Sequence, residues 1–283
     1  MRLKITIWCL FFTLATLCPY PANSDEATSA GNTHSYHDSD EDESLSIYPD
    51  LNIVINIPAM RLTVYNEDDP IKTYSIAVGQ KIWPTPEMSG YNMQQIEWNP
   101  WWYPPDQPWA VDEVDTPPGP LNPLGLVKLP IAGGILVHGT SSPKSIGRAA
   151  SHGCIRMLNE DAVELAWFLQ SQLTYKNTYS YLQKYQENPT ETYKVVLGKS
   201  VPVEIIYEPI EVHGKTIILH KDVYKKVPDP EEALFQTLTN AGYKIEDLDF
   251  GKLFMIIHDW KETSQEVFMD CLLVYSGEGC DYS

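Results

Sequence analysis

Three short runs hold the residues of this chain best suited to covalent chemistry: His138-Gly139-Thr140, Ser145-Ile146-Gly147-Arg148 and Ser151-His152-Gly153-Cys154-Ile155-Arg156. A thiol attacks a carbonyl carbon as thiolate, and a neighbouring imidazole can take its proton. Histidine suits the task because its ordinary pKa lies near working pH. Two histidines are close enough in sequence to serve. His152 lies two residues from Cys154, and His138 sits at the end of an apolar run that reads as a buried strand. A strand end holds an imidazole firmly, so His138 is assigned as the base, with the carbonyl of Gly139 as the acceptor that orients its other nitrogen. Gly153 lets the backbone approach a substrate closely. The N–H groups of His152, Gly153 and Cys154 are candidates to meet a developing oxyanion. Arg156 shares the side of Cys154 if the segment is extended, and its planar fork suits a substrate carboxylate. Two other readings compete. One is a zinc site of His138, His152 and Cys154, which lacks a further spaced ligand to close it. The other is an inert buried thiol.

Strands must position these groups. Leu51–Ile57, Arg61–Tyr65 and Lys72–Val78 alternate and are rich in β-branched residues, with Pro58-Ala59-Met60 turning between the first two and Gly79 ending the third. Gly133–Val137 reads as a buried strand that delivers His138. Asn159 reads as the N-cap of an amphipathic helix whose Ala162, Val163, Leu165, Ala166 and Leu169 share one face. Trp83–Pro123 carries five tryptophans and many prolines, too many for central strands or long helices, and reads as long ordered loops that either form a lid or groove wall or simply pack onto a sheet. A polar, Tyr-rich insertion with some helix follows at about 172–192. Strands resume at Tyr193–Leu197, Val201–Tyr207 and Thr216–Leu219, and the pattern turns helical from Asp229. The expected fold is mainly β, sandwich-like or barrel-like, with one principal helix and a small helical appendage over 229–283. The catalytic domain is expected over 47–228.

With 20 Lys and Arg against 38 Asp and Glu, the formal charge is −18. That balance argues against nucleic acid and against anionic lipid as partners. Arg2 and Lys4, an apolar run over Ile5–Leu17 and the small-residue site Ala22-Asn23-Ser24 have the layout of a secretory signal peptide over residues 1–24. The run is too short to span a bilayer comfortably, and no membrane span is expected after cleavage. Residues 25–46 are polar and acidic and read as a disordered tether, in which His34 and His37 are weak metal binders at most. Cleavage leaves Cys154, Cys271 and Cys280. The last two are spaced for a disulfide across Gly277 and Gly279, or stand as two free thiols, and Cys154 is left over in either case.

The His-Gly and Ser-His-Gly-Cys-x-Arg runs resemble the signature of the YkuD-type L,D-transpeptidase family. Further likeness to its periplasmic branch runs through Asn56–Leu62, Ala77-Val78-Gly79, Trp83-Pro84-Thr85-Pro86, Asn99–Pro105, Asn122–Gly125 and Val201–Tyr207. The resemblance covers about Leu51 to Tyr224. It implies a mainly-β catalytic domain, with Cys154 as nucleophile, His138 as base and Gly139 as orienting carbonyl. It places Ser151, His152, Gly153 and Arg156 in the site, with Ser151 and Arg156 toward substrate. It implies peptidoglycan tetrapeptide stems as substrate, a second stem or an outer-membrane lipoprotein as amine acceptor, a periplasmic location and no cofactor. The same site could instead release its acyl group to water, as an L,D-carboxypeptidase or a lipoprotein-detaching hydrolase, or the fold could persist as a non-catalytic wall binder. No family role attaches to the Tyr-rich insertion or to the tail after Asp229.

Overall fold

The computed structural model describes Tyr48 and residues 50–131, 133–260, 263–269 and 272. The expected leader and tether, and the Cys271–Cys280 pair, lie outside the described residues. The strands are β1 (Leu51–Asn56), β2 (Arg61–Asn66), β3 (Asp69–Ser75), β4 (Val78–Gly79), β5 (Met88–Trp98), β6 (Val127–Pro130), β7 (Leu136–His138), β8 (Ala149–Ser151) and β9 (Ile155–Arg156). Helices α1 (Asn159–Leu173) and α2 (Tyr179–Glu187) precede β10 (Tyr193–Ile206), β11 (Ile210–His213) and β12 (Thr216–Leu219), and α3 (Pro230–Asn240), α4 (Phe250–Trp260) and β13 (Gln265–Phe268) complete the order.

Eight strands form one sheet in the order β3-β2-β1-β10-β5-β6-β7-β9, while β4 pairs β8 and β11-β12-β13 form a separate small sheet. The fold is mainly β, with α1 as its principal helix. Its alternating residues meet α1 in one core: Ile53, Ile55, Val64, Ile96, Val137 and Ile155 from the strands, Leu165, Ala166 and Leu169 from the helix.

Two expectations about strands are corrected. Trp83–Pro123 is not all loop, because the central strand β5 lies within it, between β10 and β6. The prolines that argued against a strand bracket Met88–Trp98 without entering it, so no ladder donor is lost. The two strands expected around Gly198 are one, β10, whose pairing with β5 shifts register between Val196 and Val201. The interruption is a bulge rather than a turn.

The insertion closes one end of the core. Tyr185 stacks on Trp98 at 5.0 Å between ring centroids, and the buried Gln170 accepts from Trp98 Nε1 at 2.8 Å. Asn99, in a left-handed conformation, donates to the Tyr185 carbonyl at 2.9 Å. The appendage is not purely helical. It has its own core, in which Ile210, Ile217 and Leu219 of the small sheet pack with Leu234, Leu238, Leu253 and Trp260 of α3 and α4. That core takes in β11 and β12, both upstream of Asp229, because these strands turn their apolar faces to α3 and α4.

Candidate active site

Strands β7 and β9 run parallel, pairing Val137 with Ile155 and His138 with Arg156. Alternation does the positioning: Val137 and Ile155 are fully buried in the core, so His138, Cys154 and Arg156 project from the opposite face. There they line one cavity of about 660 Å³ together with Ser151, His152, Lys128, Trp83 and Trp109. Cys154 is a free thiol. Its sulfur lies 3.8 Å from the Gly134 carbonyl, in the Gly133-Gly134 turn that precedes β7; this turn occupies residues expected to be strand.

His138 is 4% exposed, and its Nδ1 lies 2.5 Å from the Gly139 carbonyl oxygen. A carbonyl only accepts, so Nδ1 carries the proton and Nε2 is left as a lone-pair acceptor. Burial pushes the imidazole pKa down to about 4, with Arg156 and Lys128 acting the same way against the Gly139 hydrogen bond. Burial pushes the Cys154 thiol up, opposed by a backbone hydrogen bond at Leu136 and by Arg156. Both directions favour the uncharged forms of the two groups at rest.

His152 is held otherwise. Its ring stacks on Trp109 at 4.0 Å and 3°, and meets Trp83 edge-on at 4.6 Å. It forms part of an aromatic wall that continues to Trp101, Trp102 and Tyr103. The Trp-rich loops on either side of β5 thus border the cleft.

The turn that carries the thiol is held by hydroxyls. Ser151 is 1% exposed, its Oγ accepts from Gly153 N–H at 3.1 Å and donates to the Cys154 carbonyl at 2.5 Å. Its hydroxyl is engaged with backbone rather than presented to a ligand. The same bond removes Gly153 N–H from the set of oxyanion donors, leaving those of His152 and Cys154. Gly153 adopts φ +111°, a conformation that favours glycine.

Sequence reasoning missed three residues here. Lys128 stands opposite His138 in the β6–β7 register and lines the cavity, its Nζ 2.9 Å from the buried Glu97. Nothing in the alternation of β6 marked it. Thr85 bonds the carbonyl of Gly153 at 2.8 Å. Asn159 is not the N-cap: Leu158 holds that position without a side-chain cap. The Asn159 amide instead accepts from the N–H groups of Leu126 and Thr140, both at 3.2 Å, and donates to the Thr140 carbonyl at 3.1 Å. It thereby ties Thr140, next to Gly139, to Leu126 just before β6, and polar residues at helix starts are the one sequence signal that pointed to it.

A family model described as the L,D-transpeptidase catalytic domain, YkuD, matches residues 51–205. The chain belongs to the YkuD family. A protein designated YkuD from Bacillus subtilis (strain 168) is 35% identical over 114 residues, covering 40% of this chain and 57% of that protein. One designated ErfK/SrfK from Escherichia coli (strain K12) is 32% identical over 117 residues, covering 38% of each. Both carry an L,D-transpeptidase designation, and the chain spans well under two thirds of either one's length. Among solved structures, L,D-transpeptidase 3 from Mycobacterium tuberculosis aligns at 18% identity over 55% of this chain and 60% of that one, with a TM-score of 0.35. The family match ends at residue 205, so β11 and everything after it lies beyond the matched domain.

Proposed function

We propose that this YkuD-family chain is an L,D-transpeptidase of the cell wall that transfers acyl groups through a thioester on Cys154. The observation that carries this reading is the cavity shared by Cys154, His138 and Arg156, with His138 Nδ1 committed to the Gly139 carbonyl and its Nε2 left as a base. In the first half-reaction Cys154 sulfur bonds to the carbonyl carbon of the third, L-centred residue of a tetrapeptide stem while its proton passes to His138. The carbonyl oxygen takes the negative charge, facing the N–H groups of Cys154 and His152. Collapse breaks the bond to the terminal D-Ala, whose nitrogen leaves with the proton held by His138. In the second half-reaction an amine attacks the thioester, gives its proton to His138 and displaces the thiolate, which is then reprotonated. The acceptor amine belongs to another stem or to a lipoprotein lysine. Arg156, which lines the same cavity, gives an acidic protein the local positive charge that a stem carboxylate requires. The composition of residues 1–24 supports export, which fits a periplasmic substrate. Among the described residues no helix is long and apolar enough to cross a membrane.

Incubation with disaccharide-tetrapeptide tests the reading by mass spectrometry. The expected products are free D-Ala, a tripeptide thioester on Cys154 and a crosslinked dimer, all lost in Cys154→Ala. Tripeptide without dimer would assign the second step to water. An unmodified Cys154 with intact tetrapeptide would overturn the proposal.

A further inference from the structure

Beside the nucleophile lies a hydrogen-bonded relay that starts outside the matched family domain. Tyr207 hydroxyl donates to Asp222 at 2.5 Å and accepts from Tyr224 N–H at 2.9 Å. Tyr224 hydroxyl donates to the Gly79 carbonyl at 2.8 Å and accepts from Thr85 N–H at 3.0 Å. Thr85 is 1% exposed, and its Oγ1 accepts from Gly79 N–H at 2.8 Å. Because Gly79 supplies a proton, the one hydroxyl proton of Thr85 is committed to the Gly153 carbonyl, 2.8 Å away. Side chains beyond Gly at position 79 are excluded, since a Cβ there would lie 2.2 Å from the Trp83 carbonyl oxygen.

The Gly153 carbonyl and the Cys154 N–H belong to the same peptide group. A trans peptide is planar, with C=O and N–H pointing in opposite directions. Whatever pulls the Gly153 oxygen to one side therefore aims the Cys154 N–H to the other. Ser151 already engages Gly153 N–H and the Cys154 carbonyl, which leaves Thr85 to set the rotation of the peptide between them. We propose that Thr85, braced by Tyr224 from beyond the matched domain, is a positioning residue that aims the Cys154 N–H at the oxyanion formed during acylation. The inference rests on Cys154 being the nucleophile, and it gives residues 207–224 a role in the reaction.

Two reactions of the same sulfur separate this role from a structural one. Acylation of Cys154 by p-nitrophenyl acetate forms a sulfur–carbon bond at a carbonyl, passes through an oxyanion and expels p-nitrophenolate. Alkylation by iodoacetamide displaces iodide at a saturated carbon and forms no oxyanion. In Thr85→Val, acylation is expected to fall about tenfold to a hundredfold while alkylation stays within about twofold, as for the loss or misaiming of one oxyanion donor. Thr85→Ser, which keeps the hydroxyl, restores most of the acylation rate, and Tyr224→Phe lowers the acylation-to-alkylation ratio in the same direction by less. Equal falls in both reactions, or no fall in either, would overturn the proposal, and the alkylation rate reports whether a variant has folded. A wild-type protein that is acylated in this Thr85-dependent way yet leaves stem peptides intact would sink the proposed function and leave this inference standing. Failure of the wild-type thiol to be acylated while it is alkylated would sink both.

Discussion

At His138, burial and function act together. An imidazole sealed from water stays neutral well below its ordinary range even though the bond to the Gly139 carbonyl acts the other way. In the proposed mechanism that leaves it able to accept the Cys154 proton when substrate arrives. His138→Gln keeps a polar side chain but no base, and the acylation rate is expected to fall about a hundredfold to ten-thousandfold. The same burial links stability to pH. The folded pKa, about 4, lies below the ordinary 6.5, so between these values the unfolded chain binds the extra proton. This contribution is fully present above pH 6.5 and is lost as pH falls toward 4. Urea unfolding at pH 7 and pH 5 checks the sign: wild type should lose more stability than His138→Gln across that interval. His152 is held differently, since its stacking against Trp83 and Trp109 makes it a wall of the cleft.

At the scale of elements, the site depends on how closely the start of α1 approaches the ends of β6 and β7. Asn159 occupies the space where side chains at 125 and 139 would lie: a Cβ on Gly125 would fall 2.0 Å from its Oδ1, and one on Gly139 2.2 Å. Gly125 also has φ +64°, so Gly125→Ala combines a steric clash with a strained backbone. The substitution is expected to cost about 2–4 kcal/mol, read as a lowered urea midpoint. Acylation should fall as well, because the displaced Asn159 no longer holds Thr140 beside the carbonyl that orients His138. An unchanged midpoint would mean that α1 can move away freely and that the close approach is not needed.

For the whole molecule, the question is how the appendage is joined to the catalytic sheet. Glu211, at 8% exposure on β11, accepts from Nη2 of Arg61 of β2, 2.7 Å from each carboxylate oxygen, and from the buried Asn56 of β1 at 2.6 Å. His213 lies at 2.8 Å and His220 at 3.4 Å. Burial alone would push this carboxyl up, but the nearby His220 and hydrogen bonds from Arg61 and His213 outweigh it and hold the group well below the usual carboxylate range. Glu211→Ala takes the acceptor from Arg61 and one of two from Asn56, and is expected to cost about 2–3 kcal/mol, somewhat less than breaking a fully buried pair because Arg61 is part-exposed. Denaturant unfolding measures it. Since Tyr207 and Tyr224 flank this junction in sequence and reach Thr85, loosening it should also lower acylation of Cys154.

Local signals in the chain were enough for the family, for most of the strands and α1, and for the run that carries His138, Cys154 and Arg156. Alternation and the chemistry of a few polar side chains are written in neighbouring residues. Strand β5 was hidden because proline content was averaged over a window wider than the strand. Other facts had no local signature at all. That Asn159 braces Thr140 and Leu126 rather than capping its helix, and that Tyr224 reaches the Gly153 carbonyl through Thr85, each depend on groups far apart in sequence. Hydrogen bonds of that kind are satisfied only when packing brings donor and acceptor within about 3 Å. For the same reason only folding brings the burial that favours the neutral forms of Cys154 and His138, since desolvation is a property of the folded surroundings and not of either residue.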